Sequence, residues 1–113
     1  MRVLIIGFGS IGKRYFEIFK KLKCKVRVYD TKYKLKINEN FLLKSLNEAK
    51  LWDPEIVVIC NNSNKHIDTL RNILSKNIKS FLIEKPLDTS FKKIESLNNL
   101  DAKYKKKIFV VNN

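Results

Sequence analysis

The sequence is poor in residues that build metal sites and covalent scaffolds. It has one histidine, His66, and two cysteines, Cys24 and Cys60, in 113 residues. A structural zinc site wants about four clustered ligands, so no metal is expected. Two cysteines this far apart read as buried thiols in a reducing compartment rather than a disulfide framework. Long apolar runs are missing as well. Nothing approaches the roughly 20 residues of a membrane span, and glycines and charges break the N-terminal apolar stretch too soon for a secretory leader. The expectation is a cytoplasmic protein with no membrane partner. Acidic residues are scarce, 11 Asp and Glu against 24 Lys and Arg, for a net charge of +13. Such a balance can signal nucleic acid. Here the lysines are spread along the chain, with neither a basic helix nor an aromatic platform. A solvated lysine-rich surface is the favoured reading and nucleic-acid binding a disfavoured one. Only Lys103 to Lys107 is dense, and it is expected to mark a wet turn.

Glycine is also rare, yet all three residues, Gly7, Gly9 and Gly12, fall in the stretch RVLIIGFGSIGKRY. The stretch begins as a continuous apolar run, Arg2 to Ile6, which reads as a buried strand. From Ile11 to Lys23 the apolar positions Ile11, Tyr15, Ile18, Phe19 and Leu22 share one helical face. A Gly-x-Gly-x-x-Gly between a strand and a helix has a physical use. The glycines allow a tight turn and a close backbone approach, and the helix start offers unpaired amides and a positive dipole end to a phosphate. A second strand, Lys25 to Tyr29, ends at Asp30, where a carboxylate would accept from an adenosine ribose and repel a 2′-phosphate. NAD is therefore preferred to NADP, although Lys32 and Lys34 could neutralise that phosphate.

Beyond this point strand-like and helix-like periods keep alternating. Lys34 to Ile37 is expected as a short third strand, and Phe41 to Leu51 as a helix with Phe41, Leu42, Leu46 and Ala49 inward. Glu55 to Cys60 is the plainest buried strand, being apolar and β-branched. The polar turn Asn61 to Asn64 leads into a helix, Lys65 to Lys76. Ser80 to Ile83 is a strand closed by Glu84-Lys85-Pro86. A helix at Ser90 to Leu100, with Phe91, Ile94 and Leu97 inward, precedes a last strand, Lys107 to Val111. The pattern argues for one α/β domain over residues 1–113, a Rossmann doubly wound parallel sheet of about six strands in order 3-2-1-4-5-6 with helices on both faces.

Three motifs, GFGSIGKRY, VVICNNSNKH and LIEKPL, resemble in order and separation the N-terminal domain of the Gfo/Idh/MocA (glucose–fructose oxidoreductase and inositol dehydrogenase) family. The resemblance implies an NAD(P)-binding domain of a sugar, polyol or sugar-nucleotide dehydrogenase lineage. It implies cofactor contacts from Gly7, Phe8, Gly9, Ser10, Ile11, Gly12 and Asp30. It adds Asn61, Asn62 and Ser63, which stand where the family usually has Thr-Pro-Asn, and His66, Glu84 and Lys85. Lys85 matches the family lysine near the nicotinamide ribose and substrate, with a catalytic role on a reacting hydroxyl. For His66, which matches a family histidine, helix capping or packing is preferred to proton transfer. The family's C-terminal substrate domain is absent from these residues, so cofactor binding without turnover is expected. A stand-alone non-catalytic nucleotide-binding or regulatory module is the alternative. An uncovered sheet edge leaves room for a homo-oligomer.

Overall fold

Val3 and Ile5 point to one side of the first strand and Leu4 and Ile6 to the other, and all four are buried. A strand with no polar side needs cover on both faces. In the computed structural model, which describes residues 1–32 and 35–111, it has that cover. Five parallel strands form one sheet: β1 (Arg2–Ile6), β2 (Lys25–Tyr29), β3 (Ile56–Ile59), β4 (Ser80–Glu84) and β5 (Ile108–Val111), in the order β2-β1-β3-β4-β5. On one face Val3, Ile5, Val26, Val28 and Val58 pack against Phe8 and Phe16, the latter on α1 (Ser10–Lys21). On the other, Leu4, Ile6, Val57, Ile59, Phe81 and Ile83 meet α2 (Leu46–Leu51) and α3 (His66–Ile73) through Ala49, Leu70 and Ile73. Burying each large apolar side chain of this set is worth roughly 1.5–3 kcal/mol.

The expected third strand is not there. Lys34 lies outside the described residues, and Leu35 to Ile37 bend instead of pairing. Among the described residues, a single bridge, Val28 to Leu42, and the bond from Leu43 N–H to the Val28 carbonyl (2.9 Å) are what lie on the outer edge of β2. The other five strands keep the expected order once the third is removed. The predicted helix from Phe41 is likewise shorter. Glu39–Phe41 forms a 3₁₀ turn, and α2 starts only after Ser45, whose hydroxyl accepts from Glu48 N–H at 3.0 Å.

Two further helical turns, α4 (Phe91–Ser96) and α5 (Ala102–Lys105), lead to β5. Phe91 was expected inward but is 76% exposed, because it is the first residue of α4 and Ile94 and Leu97 take the inner side. On α1, Ile18 and Leu22 are exposed as well, since the buried line runs through Gly12 and Phe16. The dense lysine segment forms α5 and the turn after it, with Lys103, Lys105 and Lys106 in solvent as expected. No described helix is long and apolar enough to cross a membrane.

Parallel strands gather their C-terminal ends along one edge, and the loops leaving β1, β2, β3 and β4 there are the glycine loop, Asp30, Asn61 to Lys65 and Lys85 to Ser90. The opposite edge is tied by Glu55, which accepts from the Arg2 N–H at 3.2 Å and pairs with Lys79 at 3.2 Å. Those two partners, the Arg2 N–H first, hold its carboxyl below the usual value.

Candidate functional site: the glycine-loop edge of the sheet

The turn after β1 is made possible by Gly7, whose φ of +99° is strained for any residue with a side chain. A Cβ there would also lie 2.6 Å from the Cys60 carbonyl and the Asn61 nitrogen, so β3's loop can pass close by. Gly12 allows a second close approach, since a Cβ on it would strike the Gly7 carbonyl oxygen. Gly9 differs: a Cβ built on it meets nothing within 4 Å. Local packing does not require a glycine at Gly9. The space in front of it is open.

Gly9 is also the N-cap of α1, and no side chain caps that helix start. Its first turn carries no acidic residue, while Lys20 and Lys21 complete the last turn and complement the dipole. An uncapped helix start of this kind favours an anion. Its N-cap, Gly9, lines a cleft of about 180 Å³ together with Gly7, Phe8, Asp30, Cys60, Asn61 and neighbouring residues. That volume suits a pyrophosphate with parts of its riboses, and the rest of a dinucleotide would extend along the sheet edge.

Asp30 closes one end of the cleft. One carboxylate oxygen accepts from the Phe8 N–H at 2.7 Å and the other from the Lys32 N–H at 3.0 Å. The same residue that could meet a ribose therefore also fixes the glycine loop, and each oxygen keeps a further lone pair for a hydroxyl. A second cavity of about 640 Å³, bounded by Leu35, Leu42, Leu43 and Lys44, shares Tyr29 to Lys32 with the cleft.

At the other end, Asn61 donates through its amide to the Thr69 hydroxyl at 2.9 Å, and its Oδ1 is buried with no partner among the described residues. A buried acceptor without a donor is costly and rare. Cys60 sits between the loops and donates its thiol proton to the Gly7 carbonyl, with Sγ at 3.2 Å. Burial first, then the charges of Glu84 and Asp30, pushes this thiol up to about 12, so it stays protonated and is no nucleophile.

Of the residues expected here, Gly7, Phe8, Gly9, Asp30, Asn61 and Asn62 line the cleft. Ser10, Ile11 and Gly12 lie in the first turn of α1 behind it, and Ser63 opens the 3₁₀ turn before α3. Lys85 is exposed just beyond β4, while Glu84, still within the strand, accepts from the Tyr15 hydroxyl at 3.3 Å. His66 is 1% exposed, with Nδ1 2.8 Å from the Pro86 carbonyl and Nε2 2.9 Å from that of Asn61. Each ring nitrogen thus faces a main-chain carbonyl rather than the cleft, and the neutral ring can donate to one of the two. Among the described residues no cluster of three potential metal ligands occurs.

Sequence reasoning missed Cys60, Tyr15 and Asp88. Asp88 is 5% exposed and accepts from the Ile67 N–H at 3.3 Å and the Ser90 N–H at 2.9 Å. Burial alone would raise its carboxyl, but the N–H groups of Ser90, Ile67 and Thr89 and the Lys93 charge outweigh it and hold it below the usual value. The Asp-Thr-Ser pattern is a turn-and-cap signal that could have flagged the bond to Ser90. Nothing local could have shown the bond to Ile67.

Comparison with known proteins agrees with this geometry. The sequence profile of the Gfo/Idh/MocA group, described as an oxidoreductase family with an NAD-binding Rossmann fold, matches residues 1–112. No curated protein sequence matches. Among solved structures, one from Sinorhizobium meliloti 1021, provisionally described as a myo-inositol dehydrogenase, aligns with a TM-score of 0.79 at 21% identity, over 98% of this chain and 36% of its own. The WlbA (WbpB) dehydrogenase of Thermus thermophilus, in complex with NAD and UDP-GlcNAcA, gives 0.73 at 17% identity over 98% and 41%. UDP-N-acetylglucosamine 3-dehydrogenase GnnA of Acidithiobacillus ferrooxidans gives 0.69 at 18% over 95% and 35%. At these identities the likeness is one of fold, and the chain spans well under half the length of each.

Proposed function

This chain belongs to the Gfo/Idh/MocA oxidoreductase family through its NAD-binding Rossmann domain, and we propose that the edge described above seats NAD in a defined direction. The pyrophosphate lies over Gly9 at the uncapped start of α1, the adenosine ribose at Asp30, and the nicotinamide toward Asn61 and Lys85. The observation that carries this reading is the open space at Gly9, which a side chain would fill and no neighbour does. Asn61 and Asn62, which line the same cleft opposite Asp30, support the direction. Preference for NAD over NADP rests on the Asp30 carboxylate beside the ribose 2′ position.

When bound, the nicotinamide accepts or gives a hydride at C4. Lys85 then serves as the hydrogen-bond donor to the reacting oxygen of a substrate, stabilising charge that develops there. The substrate class that suits this chemistry is a carbinol on a sugar, polyol or sugar nucleotide. Hydride transfer needs the two carbons held at near-attack distance with water excluded. In this reading the described residues bind cofactor, and turnover needs a further segment or chain that covers the nicotinamide.

NADH titration of the chain, read by cofactor fluorescence, tests the reading directly. Trp52 ends α2 at the opposite edge of the sheet and does not report on the site. The expected result is saturable binding that Gly9→Ala weakens at least about tenfold while the thermal midpoint stays put, because the added methyl meets nothing but ligand. No NADH binding by the parent chain, or equal binding by Gly9→Ala, overturns the proposal.

A further inference from the structure

Lys85 leaves a loop that is bonded to the start of α3 at two points. Its neighbour Pro86 offers its carbonyl to His66 Nδ1 at 2.8 Å, while His66 Nε2 reaches the Asn61 carbonyl at 2.9 Å. Two residues further on, the Asp88 carboxylate accepts from the Ile67 N–H and from the Ser90 N–H at the foot of α4. Both side chains are almost wholly buried, at 1% and 5% exposure. A buried histidine wedged between main-chain carbonyls of two loops, donating to one and packed against the other, works as a strut between them. A buried carboxylate needs several donors to remain charged out of water, and three N–H groups supply them here. Lys85 itself is exposed, with no ion-pair partner among the described residues. Its direction is therefore set by its backbone.

We infer that His66 and Asp88 are positioning residues for Lys85. Together they lock the loop after β4 onto the loop after β3, so that the Lys85 backbone and Asn61 keep a fixed separation. Both bonds reach the same turn, Asn61 to Ile67, from the same short loop, Pro86 to Asp88. Removing either lets the Lys85 backbone pivot, although neither side chain lines the cleft. The inference rests on the proposed role of Lys85 toward the nicotinamide end.

A double-variant cycle on NADH affinity separates positioning from general stability. Lys85→Ala is expected to weaken binding about tenfold. Asp88→Asn, which keeps the shape and loses the charge, should cost about fivefold in the parent chain and almost nothing in the Lys85→Ala background. An equal loss in both backgrounds, or no loss in either, overturns the inference. Unchanged affinity in the Lys85→Ala single variant overturns the role of Lys85 as well, and that variant identifies which reading failed. Should Asp88→Asn not fold, His66→Gln and His66→Leu replace it. The glutamine retains a donor for the Pro86 carbonyl and should bind NADH near the parent level, whereas the leucine should lose affinity only when Lys85 is present. Equal affinities for these two variants in the Lys85 background also overturn the inference.

Discussion

Cys60 and Gly12 meet the same Gly7 carbonyl, one as a thiol donor and the other by having no side chain in its way. The three residues come from three segments, and the glycine loop keeps its shape because each leaves the others room. The sequence marks Gly7 and Gly12 plainly, since all three glycines of the chain fall in that one stretch. It gives no sign that Cys60 belongs to the loop, because an apolar strand end accepts a cysteine as readily as a valine. The buried thiol makes a residue-scale prediction. With its proton held up to about 12 instead of the ordinary 9.0, Cys60 should alkylate about a thousandfold more slowly than a free thiol near neutral pH. Mass spectrometry after a timed iodoacetamide pulse should show Cys24 modified and Cys60 spared in the folded chain, and both modified in denaturant. Equal labelling of both in the folded chain would contradict the placement.

Helices and strands were legible where one period dominated. β1 and β3 are unbroken apolar runs, and the structure keeps both within one residue of their expected ends. The helix expected over Ser90 to Leu100 gives way after Ser96 to a 3₁₀ turn, Leu97–Asn99, and Phe91, its first residue, stays exposed. The third strand was read from apolar residues that instead serve as cover, with Leu35 and Ile37 packing beside Phe41 and Leu42 on the α1 face. The join between α3 and the loop after β4 is the element-scale feature with a measurable pH dependence. A folded-state carboxyl lowered at Asp88 stabilises the protein above its unfolded value, about 4, and that contribution is lost as pH falls through the lower folded value. Asp88→Asn should thus lower the thermal midpoint at neutral pH and flatten its decline on acidification below about pH 4. Parallel declines for parent and variant would show that the carboxylate is not held as described.

At the scale of the molecule the net charge of +13 surrounds a site built for an anion. Most of the lysines are exposed and unpaired by acid, so their summed field should draw a dinucleotide toward the edge without touching it. Since the Debye length shrinks from about 30 Å at 0.01 M salt to about 3 Å at 1 M, raising sodium chloride across that range should weaken NADH binding severalfold. Calorimetric titrations at several salt concentrations check this, and a flat response would leave the local amides as the whole source of attraction. By itself the sequence determined the α/β alternation, the order of the paired strands, the glycine turn and the acid at the end of β2. Each of these is a local matter of period, backbone freedom or spacing along the chain. Tertiary structure alone decided that the outer edge of β2 would carry a single bridge, that Asp30 would bind the glycine loop after β1, and that His66 and Asp88 would hold the loop that follows Lys85. Those outcomes depend on which buried polar groups find partners across 20 or more residues, as Asp30 with Phe8 (22 apart) and His66 with Pro86 (20 apart) do, and no local pattern encodes such a partner.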